Sequence, residues 1–370
     1  MKIGCVKEIK EQEYRVGMTP SSVRAFCDHG HEVMIETEAG DGIGFSDQQY
    51  SKAGAIIKQN KKEIFNNSDM IVKVKEPLPE EYDLLQENQI LFTYLHLAAM
   101  EELTEVLMEK KVKSVAYETI ETENGQLPCL KPMSEIAGRL SIQEGAKYLE
   151  KPFGGRGILL GGVPGVRRGK ITIIGGGVAG LNACKIATGI GADVTILDID
   201  PERLEYLDNL FGSRITTLYS TESNIKKVLE ESDVVVGAVL VHGAQAPKII
   251  RKEHLDIIKD GAVLVDISVD QGGCAETTKP TTHEDPIYMV DGVIHYCVAN
   301  MPGVVALSST KALTSTTLPY GLQIADKGLE KAVKDSDAIR LGVNTYDGKC
   351  VYPNVAQAFD LEYHSIDNII

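Results

Sequence analysis

Short apolar runs alternate with amphipathic, helix-like stretches along most of the chain. This alternation is typical of βαβ units and parallel sheets. In the first third, the apolar runs predict strands at residues 2–6, 32–36, 70–74, 89–95 and 114–120. In the second third they predict strands at 170–175, 193–198, 215–220, 233–239, 262–268 and 293–300. The pattern therefore predicts an α/β fold with two sets of parallel strands.

End signals place helices between these strands. Thr19 followed by Pro20 predicts an N-cap and a first helical position, and residues 99–111 have helical spacing. The segment 148–169 is rich in Gly and Pro, which predicts a long loop between the two sets of strands. After residue 306 the pattern is helical, with strand-like pieces only within 341–352. This tail is too short for a domain of its own, so we expect it to fold back on the first domain.

The stretch ITIIGGGVAG contains a glycine motif. Gly175, Gly177 and Gly180 fit G-x-G-x-x-G directly after a predicted strand and before a helical pattern over 178–190. In a dinucleotide-binding loop these glycines allow a tight turn, a close approach to the pyrophosphate and close helix–strand packing. The next strand ends at Asp198, whose carboxylate suits the ribose hydroxyls. The combination predicts a dinucleotide site, and a purely structural glycine turn is the alternative.

Acidic residues at the end of the strand that follows the glycine motif favour NAD over NADP. A 2′-phosphate beside Asp198 and Asp200 would meet like charge. For Asp200, capping of the next helix is the better interpretation, because Pro201 follows it. Arg203 has two interpretations: a solvated charge on that helix, or a contact with the adenosine half of the cofactor.

Composition narrows the class of protein and its partners. A chain of 370 residues exceeds the size at which one core keeps growing, so we expect two domains. Its formal charge of -15 repels nucleic acid and anionic membranes. The polar start does not fit a signal peptide, and no apolar window reaches the roughly 18 residues of a membrane helix, so we expect a cytoplasmic protein. Scattered cysteines without a CxxC pair predict buried free thiols.

Polar residues, most of them ionisable, follow several predicted strands at their carboxyl ends, where open α/β sheets bind ligands. Arg15, Lys75 and His96 follow or end strands of the first set, and Asp270 and Asn300 follow strands of the second. An arginine fork suits a substrate carboxylate, and a histidine suits proton transfer as a hydride leaves. We expect these five groups to meet in a cleft between the domains, over the nicotinamide of a bound NAD, which oxidises the carbon next to the carboxylate of a small acid by accepting a hydride.

Each of these residues also has a structural interpretation. Arg15 and Lys75 are of a type that is mostly solvated, and Lys73 competes with Lys75 because strand alternation puts both on one face. His96 lies between apolar neighbours, which suits a core residue, and Asp270 suits a cap for the turn before QGG. Their combination with the dinucleotide motif favours catalysis.

Over essentially its full length, the chain resembles the alanine dehydrogenase family. The segments that carry the resemblance are, in order, KEIKEQEYRVGMTP, VKVKEP, TYLHLA, KPMSEIAGR, GGVPGV, IGGGVAG, LDIDPERL, SVDQGG and VANMPG. It implies reversible conversion of L-alanine, NAD and water to pyruvate, ammonia and NADH, in a homo-hexamer. It also implies two Rossmann-like, doubly wound domains: an NAD-binding domain (129–305) inserted in a discontinuous substrate domain (1–128 and 306–370), with the active site in the cleft between them.

The resemblance further implies roles for individual residues. Arg15 and Lys75 would bind the carboxylate and carbonyl of the substrate, and the place of Asn300 at a strand end adds it to this group. His96 and Asp270 would donate and accept protons, the aspartate handling water and ammonia. The cofactor positions are Ser134, Gly175, Gly177, Val178, Ala179, Gly180, Asp198, Arg203, Ser220, Val239, Leu240, Ile267, Asp270, Lys279, Val298, Ala299, Asn300 and Met301.

Two expectations concern a metal ion and an alternative function. Some family members have a divalent cation near the positions of Gln323 and Lys327, but an amide and an ammonium make a poor pair of ligands, so we expect no metal. The alternative function is the NAD-binding part of a proton-translocating transhydrogenase, which shares the architecture and needs no amino-acid pocket. The complete set of catalytic and substrate-binding residues favours the dehydrogenase. A homologue that binds NAD without turnover is a third class.

Overall fold

The computed structural model describes residues 1–239 and 246–370. The chain forms two compact units: one combines Met1–Met133 with Gly303–Ile370, and the other is Ser134–Pro302. Each unit contains one sheet of mainly parallel strands. The predicted α/β class is therefore confirmed.

The first segment alternates strands and helices from its start. Its strands are β1 (Lys2–Cys5), β2 (Glu32–Glu36), β3 (Ile56–Lys58), β4 (Met70–Val72), β5 (Ile90–Thr93) and β6 (Lys113–Ala116). Its helices are α1 (Pro20–Asp28), α2 (Asp47–Ala53), α3 (Lys61–Asn67), α4 (Pro79–Tyr82) and α5 (Glu101–Glu109). As predicted, Pro20 opens α1, and the side chain of Thr19 caps it by accepting the N–H of Ser22.

These six strands pair in the order β3-β2-β1-β4-β5-β6, all parallel. The order reverses between β1 and β4, which is the switch point of a doubly wound sheet. Strands β1, β4 and β5 are buried along most or all of their length, as expected of central strands with helices on both faces. Gly4 lets α3 pack closely on β1, because a Cβ there would lie 2.4 Å from Cγ2 of Ile64.

The second unit repeats this plan. Helix α6 (Lys131–Tyr148) leads into it from the first segment. Its strands are β7 (Lys170–Ile174), β8 (Asp193–Asp198), β9 (Ile215–Tyr219), β10 (Val234–Gly237), β11 (Val263–Asp266), β12 (Ile287–Val290) and β13 (Val293–Tyr296). Its further helices are α7 (Val178–Gly189), α8 (Pro201–Phe211) and α9 (Glu222–Glu231). The strand order is β12-β13-β11-β10-β7-β8-β9, with the switch point between β7 and β10 and only the edge strand β12 antiparallel.

The last segment belongs to the first unit. Its elements are α10 (Ala306–Lys327), α11 (Leu329–Asp335), α12 (Asp337–Gly342), β14 (Val343–Tyr346), β15 (Lys349–Cys350) and α13 (Pro353–Ala358). Strand β14 pairs antiparallel with β6, and β15 pairs antiparallel with β14. The tail thus extends the first sheet at one edge.

Strands that precede predicted site residues end earlier than their apolar runs. β11 ends at Asp266 rather than at residue 268, because the Asp266 carboxylate accepts the N–H of Ser268 and starts a 3-10 helix, Ile267–Gln271. β13 ends at Tyr296 rather than at residue 300. The chemical groups beyond these ends therefore lie on turns.

Three elements are missing from the predicted pattern: the edge strands β3 and β12, and helix α6. Both strands are short, and their exposed or half-buried positions leave little alternation to detect. Helix α6 is buried around most of its circumference, so it lacks the one-sided apolar stripe of a surface helix.

All seven cysteines are free thiols, as predicted, and six of them are buried. Burial raises the pKa of the Cys5 and Cys129 thiols to about 12, which keeps them protonated near neutral pH. Within the described ranges, no helix has the length and apolar character that a membrane crossing requires.

Candidate active site

Three loops of the first unit follow the neighbouring strands β1, β4 and β5. Carboxyl ends of parallel strands meet at one edge of a sheet, and ligands bind there at the switch point. Arg15 lies in the loop after β1, Lys75 after β4 and His96 after β5. The sheet order therefore gathers these three residues at one edge.

Arg15 is only 2% exposed, which excludes a solvated surface charge. Its Nε and Nη2 donate to the two carboxylate oxygens of Glu13 at 2.7 and 2.6 Å, and its Nη1 lies 3.2 Å from Sδ of Met133. Burial by itself would raise the pKa of Glu13, but the hydrogen bonds and charge of Arg15, together with the charge of Lys75, hold it below its ordinary value. Glu13 therefore stays ionised and orients the guanidinium.

Lys73 and Lys75 have different environments, although their sequence positions make them competitors. Lys73 is fully buried, with Nζ 3.1 Å from Oε2 of Glu8 and 3.2 Å from Oε1 of Glu81. It is a structural residue, neutralised by two carboxylates. Lys75 is partly exposed, and Oε1 of Glu8 accepts the N–H groups of Val74 and Lys75 at 2.6 and 3.4 Å. Glu8 thus fixes the backbone that carries Lys75.

His96 is not a core residue, because 48% of its side chain is exposed. Its φ of 51° is left-handed, an uncommon conformation for a residue with a Cβ. The Glu118 carboxylate holds this turn by accepting the N–H groups of Leu95 and His96, at 3.2 and 2.5 Å. The imidazole stacks on the buried ring of Tyr94, with centroids 5.9 Å apart and planes at 4°. The hydrogen bonds to Glu118 and the stacking on Tyr94 therefore hold the imidazole in place.

In the second unit, the glycine motif has the geometry of a dinucleotide loop. Gly175 has a φ of 100°, and a Cβ there would lie 2.5 Å from the carbonyl oxygen of Ala238. A Cβ on Gly180 would lie 1.8 Å from the carbonyl oxygen of Gly175, so glycine alone lets α7 pack this closely. At Gly177, the N-cap of α7, a Cβ would meet no atom of residues 1–239 or 246–370 within 4 Å. This glycine therefore lies at a helix N-terminus, where an anion is favoured.

Asp198 ends β8 and contacts the same loop. Its Oδ2 accepts the N–H of Gly176 at 2.5 Å, and its Oδ1 accepts that of Asp200 at 3.0 Å. As predicted, Asp200 caps α8. Arg203 is a partly buried residue whose Nε donates to the carbonyl of Gly176 at 2.5 Å and whose Nη2 donates to that of Gly177 at 3.3 Å. Arg203 thus holds the glycine loop, a role that the sequence does not suggest.

The other predicted cofactor residues follow the remaining parallel strands or lie nearby. Those after β9, β10, β11 and β13 are Ser220, Val239, Ile267, Asp270, Val298, Ala299, Asn300 and Met301. Ser134 lies on α6, one turn before Gly138, where a Cβ would lie 2.1 Å from the carbonyl oxygen of Ala179. This close approach packs α6 directly against the start of α7, which begins with Val178 and Ala179. Lys279 is exposed in the loop before β12, and Leu240 lies outside the described residues.

Asp270 and Asn300 lie on turns of the second unit. Asp270 is exposed, near the end of the 3-10 helix Ile267–Gln271. The capping role that its sequence position suggests belongs to Asp266, which is fully buried. Asn300 has a left-handed φ of 59°, and its carbonyl oxygen lies 3.3 Å from Nε2 of His283.

Gln323 and Lys327 are exposed on α10. The ammonium of Lys327 pairs with Asp335, with Nζ and Oδ2 2.7 Å apart. That these positions bind no metal stays a prediction.

Family models match both parts of the chain. Residues 4–137 match the model described as alanine dehydrogenase/PNT, N-terminal domain, and residues 141–353 match alanine dehydrogenase/PNT, C-terminal domain. The chain belongs to the alanine dehydrogenase/PNT family.

Members of the alanine dehydrogenase/PNT family match over the full length. The alanine dehydrogenase of Geobacillus stearothermophilus is 54% identical, and alanine dehydrogenase 2 of Staphylococcus aureus (strain COL) is 52% identical, each covering 100% of both chains. A solved L-alanine dehydrogenase superposes with a TM-score of 0.95 at 53% identity, covering 97% of this chain and 99% of that one. A transhydrogenase from Sinorhizobium meliloti has a TM-score of 0.81 at 22% identity, covering 95% and 99%, which shows a shared fold.

Sequence reasoning missed the carboxylates that hold the loops of this family member in place: Glu8, Glu13, Glu118 and Asp266. For two of them a local signal exists, since Glu13 lies two positions before Arg15 and Asp266 ends an apolar run. Glu118 lies 22 residues after His96, on another strand end, so only the sheet order connects them.

Replacing Lys73 by Met tests its structural role. Lys73→Met leaves Glu8 and Glu81 buried without this cation, and removing one partner of a buried ion pair costs about 3–5 kcal/mol. We expect the free energy of unfolding to fall by about this amount, measured by urea denaturation followed by circular dichroism. Lys75→Met is the matched control and should cost about 1 kcal/mol or less, because its side chain is partly solvated. Equal losses in the two variants would contradict the assignment.

Proposed function

We propose that the protein is an NAD-dependent L-alanine dehydrogenase, which converts L-alanine, NAD and water reversibly to pyruvate, ammonia and NADH. The observation that carries this proposal is the match over the whole chain, at 52% and 54% identity, to proteins named alanine dehydrogenase. Residues suited to each chemical task also follow the strands of the two sheets.

The glycine loop suits a nicotinamide dinucleotide. The N–H groups that start α7, directly after its N-cap Gly177, suit a pyrophosphate. The carboxylate of Asp198 suits the ribose hydroxyls and disfavours a 2′-phosphate, which supports NAD as the cofactor. When bound, the nicotinamide accepts the hydride that leaves the substrate carbon.

Arg15 and Lys75 would bind the substrate carboxylate and carbonyl. Glu13 takes the Nε–Nη2 edge of the guanidinium and so fixes its orientation, and a guanidinium is the group that suits a bidentate carboxylate. Lys75 supplies a second positive charge, close enough to the Glu13 carboxylate to lower its pKa. The amide of Asn300 would add a neutral donor and acceptor from the other unit.

His96 and Asp270 would move protons. An imidazole can act as a general base and a general acid, so His96 would take a proton during oxidation and return it during reduction. The exposed carboxylate of Asp270 would take a proton from the water that displaces ammonia. For this chemistry the residues of both units have to reach one substrate, and that convergence stays a prediction.

The transhydrogenase alternative has support from the fold alone, because the solved transhydrogenase is 22% identical. Transfer of hydride between two nucleotides does not require an arginine and a lysine that bind the carboxylate of a small acid. The homo-hexamer and the cytoplasmic location remain predictions from the family resemblance and the composition.

The first test is an absorbance assay for NADH with the purified protein. We expect NADH to form from NAD with L-alanine, and to be consumed with pyruvate and ammonia. Other amino acids are tested alongside. One methylene changes the free energy of binding by only about 1–3 kcal/mol, so we expect close analogues of alanine to react more slowly. Reduction of an NAD analogue by NADH without any amino acid would favour the transhydrogenase, and NAD binding without turnover would favour the third class.

His96→Ala tests the proton shuttle. We expect kcat to fall by about 10²- to 10⁴-fold, while the affinity for NADH, measured by its fluorescence, stays unchanged. His29→Ala is the matched control, because its side chain is 46% exposed against 48% for His96 and lies in the same unit. Near-normal turnover of His96→Ala would remove this histidine from the mechanism.

Asp198→Ala tests the ribose contact. The variant should raise KM for NAD and reduce discrimination against NADP, because the repulsive charge beside a 2′-phosphate is gone. Asp193→Ala removes an exposed carboxylate at the other end of the same strand and should leave both quantities unchanged. If cofactor preference does not move in Asp198→Ala, the ribose lies elsewhere.

A further inference from the structure

Asp266, at the end of β11, accepts more hydrogen bonds than a simple cap requires. Its side chain is fully buried, and its Oδ1 accepts the N–H of Ser268 at 3.0 Å. Its Oδ2 accepts the N–H groups of Cys274 and Ala275 at 2.8 and 3.3 Å, and the hydroxyl of Thr278 at 2.5 Å. One carboxylate therefore joins the start of the 3-10 helix after β11 to the turn beyond it.

Lys248 binds the same turn from its carbonyl side. Its Nζ donates to the carbonyl oxygens of Gly272, Gly273 and Ala275, the last two at 2.9 and 3.1 Å. Both glycines have left-handed backbones, with φ of 88° and 78°. A Cβ on Gly273 would lie 2.7 Å from Oδ2 of Asp266, so this close approach requires glycine. An anion thus holds the N–H groups of the turn, and a cation holds its carbonyl groups.

We propose that Asp266 and Lys248 are positioning residues for Asp270: they fix the turn 272–275 and thereby the place of the Asp270 carboxylate. The inference rests on the proposed function, which gives Asp270 its role. Asp270 is exposed on a 3-10 helix of five residues, and such short helices have poor hydrogen-bond geometry of their own. The hydrogen bonds that Asp266 and Lys248 make at the two ends of the segment therefore determine where its side chain lies.

Asp266→Asn keeps the size of the side chain but replaces one of its two accepting oxygens by a donor. In either orientation of the amide, its NH₂ group faces backbone N–H groups, that of Ser268 or those of Cys274 and Ala275. A displacement of about 1 Å near the chemistry can cost about 10²-fold, and we expect kcat for alanine oxidation to fall by about this factor. The Kd of ADP-ribose, which lacks the nicotinamide, should stay within about twofold of wild type.

Thr278 provides two variants that separate its hydroxyl group from its methyl group. Thr278→Val removes the hydroxyl that donates to Asp266, and Thr278→Ser keeps it. We expect kcat to fall roughly tenfold in the valine variant and to stay near wild type in the serine variant. Lys248→Met should behave like the valine variant, and Lys185→Met and Asp256→Asn, exposed residues of the same unit, serve as charge controls.

Amide hydrogen exchange follows the turn independently of activity. The amides of Cys274 and Ala275 should exchange about tenfold faster or more in Asp266→Asn and Thr278→Val, with peptides from β7 and β8 unchanged. If the wild type forms no NADH from alanine, the proposed function fails, and the exchange measurement still decides whether Asp266 and Lys248 hold the turn.

Three results would overturn the inference. The first is unchanged exchange in both variants. A second is a Thr278→Ser variant as impaired as Thr278→Val, because the hydroxyl would then not be the relevant group. The third is a loss of ADP-ribose binding equal to the loss of turnover, since that indicates general disruption of the unit rather than misplacement of Asp270. Should Asp266→Asn fail to fold, the two Thr278 variants decide.

Discussion

Backbone N–H groups just beyond the carboxyl end of a parallel strand have no partner within the sheet. In this chain, carboxylates accept hydrogen bonds from these groups. Glu8 accepts the N–H groups after β4, Glu118 those after β5, Asp198 one after β7 and Asp266 those after β11. Hydrogen bonds to charged groups contribute about 1.5–3 kcal/mol each, more than neutral ones. Each of these loops also carries a residue to which we assign chemistry, so the arrangement of the candidate site depends on these bonds.

Such bonds allow backbone conformations that isolated loops would rarely keep. His96 has a left-handed backbone, and a charged acceptor on its N–H together with the ring of Tyr94 holds it there. Arg15 is held in the same sense by Glu13, which takes one edge of the guanidinium. Residues fixed in this way need little rearrangement when a substrate binds, which is the general advantage of a preorganised site. The net charge of -15 therefore says little about the site, because local pairs of charges determine the field there.

The fold itself does not decide the reaction. Both units are doubly wound, and a solved transhydrogenase at 22% identity shares this architecture with a TM-score of 0.81. One fold hosts many functions, and activity depends on the side chains placed on it. In this chain those side chains follow the strand ends, and relatives more than 50% identical over the full length carry the name alanine dehydrogenase.

The sequence by itself determined the features that depend on neighbouring residues. The α/β class, the central strands, the caps at Thr19 and Asp200 and the glycine loop all follow from local periodicity and from the steric needs of single positions. Only the tertiary structure decided that Lys73 rather than Lys75 is buried. The alternation of side chains along a strand predicts which face a residue lies on, but not what packs against that face. The tertiary structure also decided that Asp266 rather than Asp270 caps the turn, and it brought Glu118 to His96. These contacts join residues distant in sequence or equal in local pattern, and only the order of strands in the sheet selects among them.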